Sequence, residues 1–144
     1  MNQEERFRAK APHYLKCFID GCPRHDRCLR WLVGRYASTT DVSVVSVNPM
    51  HSDVKGGQCP MFREQVLASH ARGMMGFFEG MTSRQEHNIR QRLIARFTRK
   101  GFYALRKGDE LITPRMQQDI ARVCQDEGWT GTPQFDGWEE DYLW

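Results

Sequence analysis

The chain has 144 residues, 40% apolar and 11% aromatic, which is enough for a folded core and too much for a disordered segment. Lys and Arg number 21 against 18 Asp and Glu, and the net charge of +3 is too small to name a partner. The start, MNQEERFRAK, lacks the apolar run of a secretory signal, and no stretch reaches the roughly 18 apolar residues of a membrane helix, so a cytoplasmic protein without membrane contact is expected.

Residues 4–10 read as a short polar helix ended by Pro12. Asp26 is placed to cap a helix running to about Tyr36, with Cys28, Leu29, Leu32, Val33 and Tyr36 on one face. The β-branched run Val42 to Val47, bounded by Asn48-Pro49, reads as one strand. Pro60 opens a helix through Phe62, Val66 and Leu67 that runs on towards Phe78 or breaks at Gly73 and Gly76. Ser83 and Glu86 form a capping box for a helix with Ile89, Leu93, Ile94 and Phe97 inward, stopped by Gly101. Phe102 to Leu105, a turn at Lys107-Gly108-Asp109, and Leu111-Ile112 suit a small hairpin. Thr113-Pro114 starts a helix that buries Met116, Ile120, Val123 and Cys124 and stops at Gly128.

The expected fold is α+β and mostly helical, with four or five helices and a short strand or hairpin around a cysteine-rich metal site. A single domain covers residues 1–144. It comprises a cysteine-rich part (1–60), a basic helical part (61–128) and an acidic, aromatic tail (129–144) packed on the domain.

Cys17, Cys22, Cys28 and Cys59 are the main chemical signal, with four, five and thirty residues between them. Disulfides are rare in a reducing compartment, and an odd total of five fits them poorly. Four thiolates suit tetrahedral zinc or, alternatively, a 4Fe–4S cluster, although the spacing matches neither the two-residue knuckle of zinc sites nor a common cluster motif. Cys22-Pro23 and Cys59-Pro60 each lead towards an expected helix N-terminus, where a thiolate is favoured. His25, His13 or His51 can replace one cysteine. The competing readings are reduced thiols packed as small apolar groups, or a nucleophile served by His25, His51 or His70. Cys124 reads as core.

Between Arg84 and Lys107 there are eight basic residues opposed only by Glu86. Arg92, Arg96 and Arg99 form a stripe at helical spacing, followed by Lys100, Arg106 and Lys107, with Phe102 and Tyr103 available for stacking. These residues are candidates for contact with a nucleic acid or an acidic protein. The opposing reading is internal neutralisation. Residues 126–144 hold six acidic and no basic side chains, and Arg90 falls among apolar positions where a tail carboxylate can meet it.

The order of Cys17-Phe18, Cys22-Pro23-Arg24, Cys28-Leu29-Arg30-Trp31, Val44 to Pro49 and Cys59-Pro60-Met61-Phe62-Arg63 resembles a bacterial domain-of-unknown-function family of small four-cysteine proteins. Phe102-Tyr103, Gly108, Leu111 to Pro114 with Gln117, and Gly128-Trp129 extend the likeness over nearly the whole chain. The resemblance implies one cysteine constellation and no activity. No carboxylate pair, phosphate loop or hydrolase triad stands out, so the reading leans against an enzyme. The expected function is a metal-stabilised binding module, and the alternative is an iron–sulfur redox or sensor protein.

Overall fold

Asn2 opens the first helix by a reciprocal cap. Its side chain accepts from the Glu5 N–H at 2.9 Å while the Glu5 carboxylate accepts from the Asn2 N–H at 2.7 Å. This sets α1 (Gln3–Lys10), whose Phe7 is buried. The computed structural model describes all 144 residues and is α+β, about 40% helical. The remaining elements are α2 (Leu29–Gly34), α3 (Ser52–Lys55), β1 (Leu67–Arg72), α4 (Ser83–Phe97), α5 (Arg99–Lys107), β2 (Leu111–Ile112), α6 (Pro114–Asp126) and β3 (Gly137–Tyr142). A single 3-10 turn covers His25–Arg27.

The chain divides into two compact units, one of Met1–Val66 with Tyr142–Trp144 and one of Leu67–Asp141. The first unit has a small core of Phe7, Ala11, Leu29, Val33 and Tyr142, bordered by Tyr14, Leu32, Tyr36 and Trp144. Its rings interlock, with Phe7 stacked on Tyr142 at 5.4 Å and Trp144 edge-on to both.

The second unit holds the larger core. Ile89 and Leu93 of α4, Phe102 and Leu105 of α5, and Ile120, Val123 and Cys124 of α6 close on Ala71, Met74, Phe77, Phe78 and Ile112. Trp129 and Phe135 pack against this core. Strand β1 lies between β2 and β3, with Ala71 opposite Ile112 and Arg72 opposite Leu111 in the antiparallel pair. Gly73, at φ +79°, ends β1 where Asp136 approaches. The Asp136 N–H donates to the Gly73 carbonyl, and its carboxylate accepts from the Met75 N–H at 2.7 Å.

Several elements differ from the sequence expectation. The helix expected from Pro60 is absent, and the chain turns and enters β1 instead. The apolar spacing of Phe62, Val66 and Leu67 suits a helix, yet pairing with the distant Leu111–Ile112 segment fixes a strand. Val42 to Val47 is not a strand. Only Ser46 bridges Lys16, and Val42 and Val45 are 104% and 79% exposed, because no partner ladder runs beside them. The hairpin arm Phe102 to Leu105 is helical and belongs to α5. Helix α4 is capped by Thr82 with Gln85, one residue earlier than expected, and ends at Thr98. Thr98 has φ 66°, and its hydroxyl accepts from the Gly101 N–H to begin α5.

Candidate metal centre

Backbone pairing brings the four early cysteines towards one place in the first unit. Cys17 donates its N–H to the Arg30 carbonyl at 2.9 Å, and Lys16 on its N-terminal side accepts from Val47. Gly34 sits so close behind that a Cβ there would stand 2.5 Å from the Cys17 carbonyl oxygen, so the α2 backbone fixes that segment. Cys22 accepts from the His25 N–H and leads into the 3-10 turn. Cys28 follows that turn, pairs with Glu64 in an antiparallel bridge and occupies the N-cap position of α2. Cys59 accepts from the Phe62 N–H at 3.2 Å, closing a tight turn. The expected helix after Cys59-Pro60 is therefore replaced by a turn, and the helix expected from Asp26 to about Tyr36 is split into the 3-10 turn and α2, with Cys28 in place of Asp26 at the N-cap.

All four side chains line a single cavity of about 30 Å³, together with Ile19, Val47, Val54, Met61 and Phe62. This is room for one or two water-sized bodies. All five cysteines are free thiols, with Cys17 and Cys28 buried and Cys22 and Cys59 half-buried. Burial pushes the Cys17 thiol above its ordinary range, and the neighbouring Cys28, Cys22 and Cys59 act in the same direction, while the Ile19 backbone opposes them. As placed, the thiols do not close into a finished shell, for no three His, Cys, Asp or Glu side chains meet as a metal-holding group. Cysteine reasoning thus leads to a shared cavity, and not to a visible coordination geometry.

The cations around this cavity escaped the sequence reading. Arg30 is buried and lines it. Its Nε donates to the Met61 carbonyl at 2.7 Å and its Nη1 to the Leu15 carbonyl at 3.2 Å, with no carboxylate partner. Arg24 lines the same cavity, lies 4.1 Å over the Phe62 ring, and has a buried Nε without a hydrogen-bond partner. A run of Cys-Pro-Arg and Cys-Leu-Arg in the sequence is the only hint of this arrangement.

Of the three histidines considered as ligands, His25 alone lines the cavity. Its Nδ1 donates to the Cys22 carbonyl at 2.7 Å, since a carbonyl can only accept, so only Nε2 is left to coordinate. His51 Nδ1 caps α3 by accepting from the Asp53 N–H, and His13 lines a different cavity. His70 is buried in the second unit, with Nδ1 on the Ala68 carbonyl. Cys124 is a core residue of that unit, and burial pushes its thiol up to about 11.

A family profile matches residues 1–144, and it describes a family of unknown function, DUF6078. The chain belongs to this family. The match confirms the coarse expectation of such a family across the whole chain, and five cysteines stand where the sequence reading stressed four. No curated protein and no solved structure matches the chain. The DUF6078 match carries no activity, so the chemistry rests on the residues themselves. No helix is long and apolar enough to cross a membrane.

The basic stretch lies in the second unit and is largely neutralised there. Arg92 reaches Asp126 at 3.1 Å and Glu127 at 3.3 Å. Arg96 holds Asp119 through both Nε and Nη2, the shorter at 2.5 Å. Asp126 above all holds the Arg92 guanidinium more firmly protonated. Arg90 pairs with Glu86 one turn earlier, not with a tail carboxylate, and with Arg106 it flanks the Phe78 ring at 5.2 and 5.8 Å. Arg99, Lys100 and Lys107 are exposed without an ion pair. Arg99 borders an open hollow of about 350 Å³ shared with His87, Arg90 and Tyr103.

Proposed function

We propose that the chain is a non-enzymatic binding module whose first unit is stabilised by one metal ion held by Cys17, Cys22, Cys28 and Cys59, and that the ion is zinc. The supporting observation is the pairing of four free thiols with two arginines that lack a carboxylate around one small cavity. A buried guanidinium without a counter-charge is costly. Four thiolates around a divalent ion carry two net negative charges, which is the counter-charge Arg24 and Arg30 lack. The cavity, about 30 Å³, favours a single ion over four irons with four sulfides. Elemental analysis with an absorbance spectrum, on full-length protein purified without oxygen, tests this. One equivalent of zinc and no visible band is the expected result. Iron with sulfide and a visible band supports the redox alternative, and metal-free protein refutes both.

The proposed partner is a nucleic acid, met by the part of the basic stretch that α6 leaves unpaired. Arg99, Lys100 and Lys107 supply phosphate contacts, and Tyr103 beside Arg99 supplies a ring for stacking. Arg92, Arg96 and Arg106 act inside the unit. Changing Arg99 and Lys100 together to Ala is expected to lower the salt slope of single-stranded RNA binding by about 1 to 2. An unchanged slope refutes this surface, and binding to an acidic polypeptide alone moves the proposal to a protein partner.

A further inference from the structure

A second cavity of the first unit shares no lining residue with the cysteine cavity. Its volume is about 690 Å³, within the usual range of small-molecule sites. Its wall carries one unbalanced buried cation. Lys16 is only 7% exposed, and its ammonium donates to the Tyr14 carbonyl at 3.2 Å without meeting a carboxylate. An ammonium has three N–H donors, so two remain for a ligand. The neighbouring Arg8 is already engaged by Glu4 at 2.7 Å and lies over the Tyr36 ring.

The same wall carries apolar surface that nothing in the chain covers. Val44 and Val45 line the cavity yet are 42% and 79% exposed. Both gain burial if an apolar body lies along them. Asp41 is an exposed carboxylate on this wall without an ion pair. It sets a limit on ligand charge, because one ammonium balances one negative charge and a second meets Asp41.

We propose that this cavity binds a monocarboxylate with an apolar body, its head on Lys16 Nζ and its chain along Val44 and Val45. The charge count selects a monoanion over a phosphate dianion, and the exposed valines select an apolar body over a small inorganic ion. The proposal does not depend on a metal in the cysteine cavity.

Isothermal titration of the full chain with hexanoate, hexanol and inorganic phosphate tests it. Hexanoate is expected to bind about tenfold or more tightly than hexanol, and phosphate to give no binding heat. Lys16→Met is expected to weaken hexanoate about tenfold and leave hexanol unchanged. Val45→Ser changes an exposed side chain, so the fold survives it, and it is expected to weaken hexanoate even if Lys16→Met fails to fold. The proposal is overturned by absent hexanoate binding at millimolar concentration, by hexanol binding equally well, by tighter binding of phosphate, or by unchanged hexanoate affinity in the folded variants.

Discussion

Replacing Arg30 by Met separates a metal–thiolate centre from an ordinary core. Arg30 is 9% exposed, and its guanidinium bonds two backbone carbonyls and lies 5.0 Å over the Tyr14 ring, with no acid beside it. In metal-free protein the substitution has two opposed effects. It removes a buried uncompensated charge, which stabilises, and it strands the Met61 and Leu15 carbonyls, which costs about 1–3 kcal/mol. The net change in chelator-treated protein is therefore small, about 2 kcal/mol or less in either direction. On the proposed metal reading the loaded protein behaves differently, because it would lose the cation opposite a doubly negative centre. Removing such outer partners typically lowers metal affinity about 10- to 100-fold. Competition with a chromogenic zinc chelator reads the affinity, and urea unfolding in excess chelator reads the scaffold. A zinc affinity within about twofold of the parent, with the scaffold still folded, refutes the charge-balance reasoning.

The second unit offers two further tests. Burial pushes the Cys124 thiol from its ordinary 9.0 up to about 11, so between those values the unfolded chain releases a proton that the folded chain keeps. Stability present below pH 9 is thus lost as pH rises towards 11, by about 3 kcal/mol in all, and Cys124→Ala removes that part of the slope. Equal alkaline slopes for parent and variant in urea titrations count against a buried neutral thiol. Gly73→Ala places a Cβ 2.5 Å from the Asp136 carboxylate at a φ of +79° and is expected to cost about 1–3 kcal/mol. An unchanged urea midpoint shows that the Gly73–Asp136 approach does not hold the end of β1.

The elements legible in the sequence carry their boundary chemistry locally. Thr113-Pro114 marks the start of α6, and its hydroxyl accepts from the Met116 N–H, while Gly128 follows the helix at φ +76°. The polar helix near the start was legible too. What failed depended on distant partners or on unusual backbone. Nothing between Pro60 and Arg72 announces β1, because its pairing partner lies some forty residues away at Leu111. Thr98 breaks the basic helix in two by adopting a left-handed φ that a β-branched residue seldom takes, so no composition rule points to it. In the candidate site, the shared cavity of four cysteines followed from their clustering. The arginine collar did not, since it is made by Arg24 and Arg30 meeting carbonyls and a ring from residues 15, 61 and 62.

The two groups of arginine in this chain have opposite balances. In the second unit, Arg92 and Arg96 meet carboxylates on or just past α6, and Asp119, with a side chain only 15% exposed, holds Arg96 by two hydrogen bonds. Such pairs link α4 to α6 but add little stability, because Arg92 and Arg96 remain substantially exposed. In the first unit, Arg24 and Arg30 line the cysteine cavity and have no acid, whereas Arg8, Arg27 and Arg35 each pair with a carboxylate. Charge that is balanced needs no ligand, and charge that is buried without balance does. The density of basic residues therefore does not mark the buried cation that lacks an acid, Arg30. Its electrostatic demand lies at the cysteine cavity, and the proposed thiolates on a divalent ion would be the anions that meet it.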